Sequence, residues 1–204
     1  SLRPAGGVLP AGWPLPGVGA VTAVREDAGD RRGGAGLPDD RAVAVLVPLA
    51  SPGDLRPATA LTAAALASLP PGSAAGVSAV RRGTDDLAAQ WREARAAARL
   101  AGAVPRYFPV AHWPELGAWR LVSELSGPDP AVRALLAEPV MAQTAEVFLD
   151  CAGSAARAAA ALHIHRQTLY YRLNRIAALT GLDLAHGEDR LLLHASLKAA
   201  RLAG

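Results

Sequence analysis

Apolar and polar positions alternate differently in the two halves of the chain. Residues 17–24 and 43–49 read as strands, the second with Val43, Val45, Val47 and Leu49 on one face and Ala44 and Leu46 on the other. Because both faces are apolar, this second strand is expected at the centre of a sheet. Between the two, residues 30–40 form a Gly-rich polar connection suited to a hairpin loop. Asp54 is placed to cap a helix running to about residue 69, with Leu61, Ala65 and Leu69 as its inward stripe, and Pro70 and Pro71 end it. A strand over 75–80 precedes a helix over 85–101 that turns Leu87, Trp91, Ala94 and Ala98 inward and keeps Asp85 and Asp86 near its positive end. Residues 104–108 can add a strand and 114–125 a helix.

Gly127-Pro128-Asp129-Pro130 is the clearest break in the chain. Beyond it only helical periodicity is found. The expected organisation is α+β: a mixed first domain over residues 1–127 and an all-α second domain over 131–204.

Within the second domain, Gly153 supplies a turn, Ser154 an N-cap, and residues 155–162 a short helix dense in alanine. Ala159 gives the small side chain that a close helix crossing needs, and Leu162 and Ile164 bracket the turn that follows. A second helix over 165–178 buries Leu169, Leu173 and Ile176, which fixes what it exposes. His165, Arg166 and Gln167 fall in its first turn, and Tyr170, Tyr171 and Asn174 continue along the outward side. This is the pattern of a helix-turn-helix, in which the first turn of the second helix reaches base edges. Arginine can bridge guanine and glutamine can bridge adenine through paired hydrogen bonds.

Charge sharpens this reading. The net charge of the whole chain is only +3, but from residue 150 onward seven basic residues stand against four acidic ones, which accounts for all of the excess. Arg157, Arg166, Arg172 and Arg175 occur with no acid between them, the footprint of a phosphate-binding surface. Arg157 and Arg175, toward the flanks, are expected to hold phosphates, and Arg172 to serve either a phosphate or a structural ion pair. Double-stranded DNA is therefore the expected partner, bound by a homo-oligomer because one short helix contacts too few base pairs.

Other chemistry is not indicated. Cys151 is the only cysteine, which excludes an intramolecular disulfide and fits a reducing cytoplasm. Residues 58–80 carry no charge, but Pro70, Pro71, Gly72 and Ser73 interrupt them, so no membrane span is expected. The first residues lack the apolar core of a signal peptide, and the absent initiator methionine points to a fragment or a trimmed chain. His163 and His165 have a spacing seen in metal sites but no partner ligands, so a turn-and-cap role is expected, with no metal and no cofactor. Asp39 and Asp40 are assigned no role.

The run His165-Arg166-Gln167-Thr168-Leu169-Tyr170-Tyr171-Arg172-Leu173, followed by Arg175-Ile176, Leu179-Thr180-Gly181, Leu184 and Arg190-Leu191, resembles the C-terminal helix-turn-helix of PucR/CdaR-type transcriptional regulators. The family usually has asparagine where Gln167 stands. Gly76-Val77-Ser78, Leu87 and Trp91-Arg92-Glu93-Ala94 resemble the GGDEF-like middle domain of the same regulators. Aligning residues 43–48 with the strand after the cyclase signature puts Asp39-Asp40-Arg41-Ala42-Val43 at that signature, without its glycine pair. The resemblance therefore implies a degenerate, non-catalytic regulatory or dimerisation domain, with room for a small-molecule effector of unknown identity. The alternative is a signalling or scaffold protein that carries the same domains and binds no DNA.

Overall fold

The computed structural model describes residues 18–25, 42–83 and 86–203. The chain forms two compact units, Ser1–Gly117 and Ala118–Gly204.

The first unit is a mixed sheet between helices. Strands β1 (Val18–Arg25) and β2 (Ala42–Leu49) pair antiparallel along their whole length, from Val18 opposite Leu49 to Arg25 opposite Ala42. On its other side β1 pairs antiparallel with β3 (Ala74–Val77) and, nearer its start, with β4 (Arg81–Arg82). β5 (Val110–His112) lies parallel to β3, giving the order β2-β1-β3-β5. Among the described residues β2 is thus an edge strand, not the central one its pattern suggested. Its two apolar faces have another cause: each is covered by a helix. Val45, Val47 and Leu49 pack with Leu55 and Ala58 on one side, whereas Leu46 packs with Leu87, Trp91, Ala94 and Ala98 on the other.

α1 (Arg56–Ala67) begins where Asp54 accepts hydrogen bonds from the Arg56 backbone N–H (3.1 Å) and from its guanidinium (2.8 and 2.9 Å). The Arg56 bonds hold the Asp54 carboxyl down at about 2. Its buried positions are Ala58 and Thr62, while Leu61 is 42% exposed, so the expected stripe of Leu61, Ala65 and Leu69 was set in the wrong phase. Thr62 can be buried because its hydroxyl donates to the Ala58 carbonyl (2.6 Å), and periodicity alone does not credit that satisfaction.

α2 (Leu87–Ala103) packs on β3 and β1 through Ala94, Ala97 and Ala98. Gly76 makes this approach possible: a Cβ there would lie 2.2 Å from both the Ala94 carbonyl oxygen and the Ala98 nitrogen. Glu93 then ties helix to strand, accepting from the Ala79 N–H (3.0 Å) and from Arg81 (2.6 Å), while Gln90 donates to the Ala79 carbonyl (2.9 Å). The expected strand over 104–108 is instead a 3₁₀ turn, Pro105–Tyr107, with the strand displaced to Val110–His112. Pro105 fixes a helical φ and Pro109 lacks an N–H, so neither suits a ladder there.

The second unit contains α3 (Trp119–Val122), α4 (Arg133–Leu136), α5 (Pro139–Asp150), α6 (Ala155–Ala161), α7 (Arg166–Thr180) and α8 (Gly187–Ala203). The helix expected over 114–125 is reduced to the 3₁₀ turn Trp113–Glu115 and the single turn of α3, because Gly117, at φ 54°, interrupts it. The units divide before Ala118, ten residues ahead of the Gly-Pro break. Burial of Trp119 and Val122, with Lys198 5.0 Å over the Trp119 ring, places α3 with the helices. The core is built from Leu135, Leu149, Leu169, Ile176, Leu193 and Leu197, gathered from four helices.

Candidate nucleic-acid interface

The helix pair α6 and α7 is set by capping at every turn. α5 ends in Ala152 at φ 53°, where the Gly153 N–H donates to the Phe148 carbonyl and the Ala152 N–H to that of Leu149. Ser154 Oγ then accepts from the Arg157 N–H (3.4 Å) and opens α6. α6 closes the same way: His163 takes φ 54°, its N–H donates to Ala160, and the Ile164 N–H donates to Ala159. This is the paired-bond ending that usually calls for glycine at the left-handed position. His165 Nδ1 accepts from the Gln167 N–H (3.3 Å) and caps α7, so the two histidines serve the turn and the cap. Gly181, at φ 71°, ends α7. Among the described residues no cluster of three or more ligating side chains occurs.

Close crossing of the two helices rests on Ala158 and Ala159, both buried, with Leu162 and Ile164 half-buried against the same core. α7 buries Leu169 and Ile176 completely and Leu173 in part. His165, Arg166, Gln167, Tyr170, Tyr171 and Asn174 are all exposed, the two tyrosines at 53% and 71%. The structure therefore gathers six of the expected residues on one open surface.

The arginines are differently placed. Arg172 is half-buried and donates to Thr144 Oγ1 on α5 (3.1 Å), whose own hydroxyl donates to the Val140 carbonyl (2.7 Å). Arg175 pairs with Glu138 at the start of α5 (2.8 Å). Arg157 donates to the Cys151 carbonyl. Of these four arginines, only Arg166 makes no hydrogen bond or ion pair among the described residues. Partners 28 and 37 residues away left no trace in the local pattern, so Thr144 and Glu138 were not anticipated. A second set of ties holds α5 to α8, with Glu146 bonded to Arg201 (2.6 Å) and Asp150 to Lys198 (3.0 Å) and His194 (2.9 Å). Cys151 is half-buried against the core.

A short helix crossing an amphipathic one at alanines, with the second helix presenting an exposed polar first turn, is helix-turn-helix geometry. Residues 141–199, spanning α5 to α8, match the family described as the PucR C-terminal helix-turn-helix domain. Residues 141–199 form a PucR-type helix-turn-helix domain. This PucR-type domain is 66% identical over 38 residues to the carbohydrate diacid regulator of Escherichia coli, covering 19% of this chain and 10% of that protein. It is 40% identical over 70 residues to the transcriptional activator PmfR of Paenarthrobacter nicotinovorans, covering 34% of this chain and 14% of that one. The chain thus aligns with only about a tenth to a seventh of these relatives' length. A solved regulator of polyketide synthase expression from Bifidobacterium adolescentis matches with 18% identity and a TM-score of 0.37 over 94% of this chain and 83% of that one, too weak a likeness to argue from. The E. coli and Paenarthrobacter relatives are named as a regulator and as a transcriptional activator. No described helix is long and apolar enough to cross a membrane.

Proposed function

We propose that this chain is a sequence-specific transcriptional regulator of the PucR/CdaR type that inserts α7 into the major groove of double-stranded DNA. The observation that carries this reading is the exposed surface His165, Arg166, Gln167, Tyr170, Tyr171 and Asn174 on a helix whose opposite side buries Leu169 and Ile176. Arg166 and Gln167 in the first turn read bases. Arg157 and Arg175 hold phosphates on the flanks. The Arg175–Glu138 pair is 50% and 37% exposed, and such pairs contribute only about 0–1 kcal/mol, so a phosphate can displace it. Arg172 serves as a clamp on α5.

The first unit is a degenerate GGDEF-like domain that mediates subunit contacts or passes on an effector signal. Its close strand–helix contact at Gly76 and the Glu93 tie account for Gly76 and Glu93 structurally, leaving them no catalytic duty. The signature positions 39–41 lie outside the described residues. The working species is a dimer on repeated half-sites in the cytoplasm.

Binding-site selection with the purified chain tests this. The expected result is an enriched motif of two half-sites about one helical turn apart, occupied by two chains. Failure to retain any duplex at low salt would favour the scaffold reading.

A further inference from the structure

The line of α7 that faces directly away from the core carries no charge. Leu169 is wholly buried and marks the inward side. At about 100° per residue, Gln167, Tyr171 and Asn174 stand roughly 160°, 200° and 140° around the helix from it, and Arg166 roughly 60°. Arg172 and Arg175 are tied to Thr144 and Glu138 on α5. The line facing directly away from the core is therefore an amide, an aromatic ring and a second amide, with arginine on its shoulder. None of the three side chains on that line makes a hydrogen bond among the described residues, and Tyr171 is 71% exposed. From residue 167 to 174 the helix rises about 10 Å, or three base-pair steps of about 3.4 Å.

The chemistry of this line is selective. A carboxamide offers one donor and one acceptor side by side, matching adenine, which presents N7 as acceptor and N6 as donor. Guanine presents two acceptors there, so it suits arginine. The thymine methyl is the apolar group that bases offer in the major groove, and an exposed ring between two amides can cover it. Resting on the DNA-binding reading above, we propose that the core of each half-site is a run of A·T pairs. Gln167 and Asn174 read adenines, the Tyr171 ring covers a thymine methyl between them, and Arg166 takes a guanine at the edge.

The test takes the duplex selected by the purified full chain and replaces each thymine in turn by deoxyuridine, which removes the methyl alone. Wild type, Tyr171→Phe and Tyr171→Ala are titrated on the series, and Gln167→Ala on the parent duplex, with far-UV circular dichroism confirming each fold. The proposal expects about three consecutive A·T pairs per half-site. One uracil position should weaken wild type and Tyr171→Phe about three- to fivefold, as loss of one buried methyl would, and leave Tyr171→Ala unaffected. A G·C core, indifference to every uracil, or a Tyr171→Phe loss equal on all sequences would overturn it while leaving DNA binding intact. Absence of binding to any duplex would overturn the DNA-binding reading itself.

Discussion

Arg172→Ala separates the structural from the phosphate-binding arginines. The substitution deletes the 3.1 Å bond from Arg172 to Thr144 Oγ1 and leaves a fully buried Thr144 without that donor. A hydrogen bond from a charged group contributes about 1.5–3 kcal/mol, and because Arg172 is only half-buried this is discounted to about 1–2 kcal/mol. For a unit of this size that corresponds to a melting point lower by roughly 4–16 °C. Calorimetry on the full chain reads the C-terminal transition. Thr144→Val, which removes the acceptor with little change of shape, should show coupling to Arg172→Ala of at least about 0.5 kcal/mol in a double-mutant cycle. The salt dependence of DNA binding should stay that of wild type, whereas Arg175→Ala should lower its slope by about one. An unchanged melting point together with a reduced salt slope for Arg172→Ala would refute the clamp and return Arg172 to the phosphates.

Gly76→Ala should destabilise the N-terminal unit by about 3 kcal/mol or more, because the added Cβ would meet Ala94 and Ala98 backbone atoms that cannot swing aside; urea unfolding followed by near-UV circular dichroism measures it. Asp150 supplies a pH dependence. Burial works to raise its pKa, but the bonds and charges of Lys198 and His194 outweigh this, so the carboxyl titrates below its usual range. A lowered folded pKa gives stability that is complete above the unfolded value of about 3.9 and is lost as pH falls through the folded value. Asp150→Asn should therefore be less stable than wild type at neutral pH and converge with it below about pH 4, as urea midpoints over that range will report.

Sequence patterning located the helix pair closely because its determinants are local. Ser154, His165 and Gly181 act on their own neighbours, and the 3.6-residue period of Leu169, Leu173 and Ile176 fixes which side of α7 is open. What escaped was set by distant parts of the chain. The edge position of β2 depends on which strand pairs with which, and two covering helices make an edge strand as apolar as a central one. The phase of α1 turned on Thr62 satisfying its own hydroxyl, and the ties of Arg172 and Arg175 on Thr144 in α5 and Glu138 at its start. An arginine in a run of basic residues carries the same sequence signal whether it meets a phosphate or a threonine. Exposure and partner had to be seen to tell them apart.

The most direct test of α7 as a reading helix is the affinity of Gln167→Ala for the selected operator and for a scrambled duplex of equal length, at one salt concentration. Gln167 is exposed and uncharged, so the change alters neither the core nor the phosphate electrostatics. The account predicts a loss of about 1–3 kcal/mol on the operator and none on the scrambled duplex. Unchanged operator affinity, or an equal loss on both duplexes, would contradict it.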